Sequence, residues 1–162
     1  MENKELGELG RVLFAKLLRV TASDGSYEDI MLHCQAKNSK YLDDSFPPMK
    51  KSLINDWSDE NVSDKVDDWA TFEWIRASEI LELNDEEGKL AVFQNDVTPS
   101  DIKQGLLGDC YFLSILSALA EVPSRIKKLF VSERTNEFGV FAVVLKKNGE
   151  IKEVVMDEYF PC

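Results

Sequence analysis

A chain of 162 residues, 44% of them hydrophobic, is long enough to bury one core. Its formal net charge of −11 and the lack of any basic stripe argue against a nucleic-acid role. No apolar run reaches the length of a membrane span, and Met1-Glu2-Asn3-Lys4 does not open a secretory signal.

The acidic excess falls within residues 21–101, while 102–162 is balanced. This reads as solvated surface, with affinity for cations or a basic partner as the alternative. Cys34, Cys110 and Cys162 are odd in number and widely spaced, so they suggest neither a disulfide framework nor a zinc cluster. A reducing, cytoplasmic setting is the expectation. The one histidine, His33, excludes a His-rich metal site.

Residues 4–20 read as an amphipathic helix with Leu6, Leu9, Leu13 and Leu17 on one stripe, interrupted by Gly7 and Gly10. Its polar face mixes both charges, which suits docking on a protein rather than on a membrane. Turn residues up to Ser26 close this first unit, 1–26, and leave 27–162 as the main domain. A second helix is expected over Tyr27–Ala36, with Ser26 as N-cap, Glu28 and Asp29 in its first turn, and Tyr27, Ile30, Met31 and Cys34 on one face. Periodicity is then lost, and Phe46-Pro47-Pro48 forces extended chain. Residues 55–68 are acidic and read as an exposed loop. Asn84–Gly88 reads as a turn and Leu90–Phe93 as a short strand.

Gln104 to Asp109 carries two glycines and reads as a tight loop. From Cys110 the apolar residues Phe112, Leu113, Ile115, Leu116, Ala118 and Leu119 fall at helical spacing, and Asp109 can cap that helix. Cys110 therefore sits at a helix N-terminus, whose partial positive charge favours thiolate, the reactive form. A lone cysteine beside an apolar helix is more often a small buried hydrophobe. Gln104 changes that balance, because its side-chain amide and the Cys110 N–H could converge as an oxyanion hole. Beyond this helix, Pro123 opens another over Ser124–Phe130. Val140–Leu145 and Ile151–Met156 form a hairpin about Asn148-Gly149.

The segment Gln104–Leu113 resembles the active-site motif of the calpains, papain-type cysteine proteases with the pattern Gln-Gly-x-Leu-Gly-Asp-Cys-Trp-Phe/Leu-Leu; Tyr111 stands where that family usually has Trp. The run from Tyr27 to Pro48 and the element Trp74-Ile75-Arg76-Ala77-Ser78-Glu79-Ile80 resemble the same family, in the same order. The resemblance implies the first of two protease-core subdomains, an α+β fold, mainly helical around the Cys110 helix with a small C-terminal hairpin. It implies Cys110 as nucleophile and Gln104 as oxyanion donor, with His and Asn supplied by a second subdomain and a protein substrate in the cleft between. No histidine follows Cys110 in this sequence, and His33 matches no catalytic position of the family. The expectation is a half-core that needs a second subdomain, in the same chain or in trans, and does not turn over peptides alone. The alternative is a non-catalytic, calpain-like interaction module bound to a partner protein. The resemblance also implies a calcium site with Asp101 as carboxylate ligand and carbonyls from Gln94 and Asp96, short of at least one acidic ligand; the alternative for Asp101 is an N-cap or turn carboxylate.

Overall fold

A computed structural model describes residues 25–53, 71–83, 90–93, 96–103 and 110–162. The expected helix over 4–20, the acidic stretch 55–68 and the turn at 84–88 lie outside the described residues.

Helix α1, Tyr27–Lys37, starts one residue after Ser26, which forms a reciprocal capping box with Asp29. It ends where Asn38 takes a left-handed conformation and its N–H bonds back to the Cys34 and Gln35 carbonyls. The stripe Tyr27, Ile30, Met31 and Cys34 packs against Phe138, Val140, Ala142 and Val155, as the 3.6-residue spacing predicts. Strand β1, Trp74–Arg76, runs directly into helix α2, Ala77–Leu83. Helix α3, Cys110–Ala120, is followed by helix α4, Pro123–Lys127. Val122 between them is extended, the conformation that a following proline imposes.

The hairpin comprises β2, Phe141–Lys147, and β3, Glu150–Met156, in antiparallel register with Phe141 opposite Met156 and Lys147 opposite Glu150. Asn148 (φ 53°) and Gly149 (φ 85°) make the two-residue turn, whose positive φ values match the twist of the strands. Away from the turn both faces of the hairpin are buried, whereas residues 150–153 are exposed. Val155 and Ala142 face α1, while Val143, Val154 and Met156 pack with Phe130, Phe141 and Leu145. Burial of one such side chain contributes about 1.5–3 kcal/mol, more than a typical cap at about 1 kcal/mol, so the hairpin rather than any helix end dominates this part of the core.

Three expectations need correction. The helix after Pro123 stops at Lys127 rather than Phe130, because the next residues turn onto the outer edge of β2. There the Val144 N–H donates to Leu129 O, the Val131 N–H to Ala142 O, and Phe130 bridges Val143. Leu90–Phe93 forms no strand. Its Leu90 carbonyl accepts from Thr135 Oγ1 instead, and Phe93 packs edge-on against Phe130 at 4.8 Å. The C-terminal hairpin is also not the last sheet. β4, Tyr159–Pro161, pairs antiparallel with β1, and Glu73 and Cys162 continue the ladder by exchanging backbone bonds.

That second sheet is fixed by polar groups in the interior. Glu158, 2% exposed, accepts from Lys40 Nζ at 2.7 Å, Arg76 Nη1 at 3.2 Å and Ser78 Oγ at 3.2 Å. Arg76 also donates to the Tyr41 carbonyl and stacks over the Tyr159 ring. Nearby, the buried Asp157 carboxylate accepts from the Asp43 and Tyr159 N–H groups, and Asp43 in turn accepts from Ser45 and Phe46. Each buried carboxylate is thus matched by donors, the condition under which burial of charge is tolerated. The described residues form an α+β arrangement of helices and small antiparallel sheets.

Candidate active site

Cys110 is the first residue of α3 and is exposed, with a free thiol. The helix turns one stripe inward: Leu113 and Ala120 are buried, and Ala120, Leu116 and Leu119 join Val97 and Ile126 in a cluster with Phe93 and Ile102. The opposite stripe, which carries Cys110, stays outside. Tyr111 and Ile115 are 56% and 57% exposed although both are large and apolar. Ser114, one turn on from Cys110, is exposed too, and its hydroxyl donates to the Cys110 and Tyr111 carbonyls. Packing of the inner stripe therefore holds the thiol outward at the N-terminal end of a two-sided helix.

The other cysteines have different surroundings. Cys34, 3% exposed, is part of the α1–hairpin core, and burial pushes its thiol pKa up, with Lys37 opposing. Cys162 is exposed, and its thiol lies 3.7 Å from the Phe160 carbonyl. Gln104 and Asp109, the expected cap, lie outside the described residues.

Of the residues that resemblance assigns to calcium, Asp101 and Asp96 have protein partners for their carboxylates. Asp101 ends a short 3-10 turn, Pro99–Asp101, that packs beside α3. Its Oδ2 accepts from the Thr98 N–H at 2.8 Å and from Thr98 Oγ1 at 2.9 Å, a capping box. Asp96 is exposed and paired with Lys127 at 3.0 Å. Gln94 lies outside the described residues. Among the described residues no three of His, Cys, Asp and Glu come together as metal ligands. Calcium takes six to eight oxygens, so this described donor set does not fit it by itself.

His33 is exposed on α1, which packs in a different cluster from α3, and no hydrogen bond among the described residues joins it to Cys110. Among the described residues no helix is long and apolar enough to cross a membrane.

Against known proteins, residues 41–162 match the calpain family cysteine protease profile. The chain belongs to the calpain family. It is 36% identical over 125 residues to the calpain-type cysteine protease DEK1 of Arabidopsis thaliana, which takes in 77% of this chain and 6% of that protein. It is 34% identical over 122 residues to the calpain-type cysteine protease ADL1 of Oryza sativa subsp. japonica, covering 75% of this chain and 5% of that one. With the calpain-1 catalytic subunit of Bos taurus the identity is 28% over 161 residues, covering 98% of this chain and 20% of the subunit. The chain therefore spans about a fifth or less of these calpains. The family-profile match contains Asp101, Gln104 and Cys110 and begins after His33, which only the longer calpain-1 alignment takes in.

Proposed function

We propose that this chain supplies the nucleophile-bearing part of a calpain-type cysteine endopeptidase. In this reading the Cys110 sulfur attacks the carbonyl carbon of a substrate peptide bond. The Gln104 side-chain amide and the Cys110 N–H donate to the oxyanion that forms. A histidine and an asparagine from outside these 162 residues complete the group: the histidine takes the thiol proton, passes it to the leaving amine and then activates the water that cleaves the thioester. The observation that carries the reading is the placement of Cys110, an exposed thiol at the start of a helix packed along one stripe, inside the matched family region.

Protein substrates and a cytoplasmic setting belong to the same proposal. Calcium enters it only weakly, through Asp101 and the carbonyls of Gln94 and Asp96, since the Asp101 carboxylate is already engaged by Thr98.

The test is treatment of the full chain with a peptidyl epoxide, which a competent thiolate opens to form a thioether. Peptide mapping is expected to place the adduct on Cys110. An unlabelled Cys110, with Cys162 labelled as an exposed control, would instead support a non-catalytic module bound to a partner protein.

A further inference from the structure

No further inference is drawn: the strongest candidate, the exposed apolar stripe of Tyr111 and Ile115 with Val122 beyond the end of α3, borders the site already described, and nothing in the structure shows what covers it.

Discussion

Arg76 and Glu158, 82 residues apart in the chain, meet in the interior with Nη1 and Oε1 3.2 Å apart. The contact ties β1 to the residue just before β4, so the pairing of that sheet and the ion pair support each other. Replacement of Glu158 by Ala leaves the Arg76 guanidinium buried without its anion, a change that costs about 3–5 kcal/mol. Lys40, the other cation on Glu158, has a side chain 42% exposed, and Lys40→Ala is expected to cost less than about 1 kcal/mol. Urea unfolding of the two variants checks the ranking, and equal losses would contradict it.

Gly139 presses on the same carboxylate. Its φ of +65° is left-handed, and a Cβ there would lie 2.8 Å from Glu158 Cδ and Oε1. Gly149 has φ +85°, but a Cβ there meets nothing within 4 Å. Gly149→Ala is expected to cost about 1–2 kcal/mol for the backbone alone. Gly139→Ala adds overpacking of about 1–3 kcal/mol. Thermal unfolding should therefore rank Gly139→Ala clearly below Gly149→Ala.

Local signals carried much of this fold in the sequence. Ser26 and Asp29 announced α1, Asn148-Gly149 announced the hairpin, and the spacing of Leu113, Leu116 and Leu119 announced α3. Non-local pairing was less legible. β1 and β4 are three residues each, too short for alternation to show, and their pairing is accompanied by the Arg76–Glu158 contact, which joins residues far apart in the chain. The available signal was Asp157-Glu158 placed directly after the apolar run Val154-Val155-Met156, where two acids have no reason to be unless something receives them. The end of α4 was missed for a similar reason, since the β2 edge competes for Leu129 and Val131. At the candidate site, the position of Cys110 at the start of α3 was legible from the helix pattern, whereas the Thr98 bonds to Asp101 depend on a 3-10 turn that periodicity does not reveal.

Thiol chemistry should separate the three cysteines. Cys110 and Cys162 are exposed and Cys34 is buried, so brief alkylation should modify the first two well before Cys34. Burial raises the Cys34 pKa above its ordinary value of 9.0. The folded state therefore favours the neutral thiol. That contribution to stability is fully present below the unfolded-state pKa and is lost as pH rises through the folded-state value. Unfolding free energies measured from neutral to alkaline pH should fall more steeply for the parent chain than for Cys34→Ala. Parallel curves would show that the Cys34 thiol does not feel the core.

Asp101→Ala removes the capping box on Thr98 and should cost about 0.5–2 kcal/mol. If Asp101 belongs to the proposed partial calcium site, calorimetry with calcium on the full chain shows weak binding that this substitution abolishes. Tight binding would require oxygen ligands beyond the partial set described above, and unchanged binding in the variant would remove Asp101 from the site.

The central claim is that Cys110 is a nucleophile whose base comes from elsewhere. General acid–base catalysis contributes roughly 10²- to 10⁴-fold, and the one imidazole of this chain, His33, is exposed on α1. The most direct measurement is hydrolysis of a fluorogenic peptide by the full chain, with and without calcium, alongside Cys110→Ala and His33→Ala. The account predicts no multiple turnover in any of these, while a peptidyl epoxide still labels Cys110. Steady turnover that is lost in both Cys110→Ala and His33→Ala would contradict it and make His33 the base.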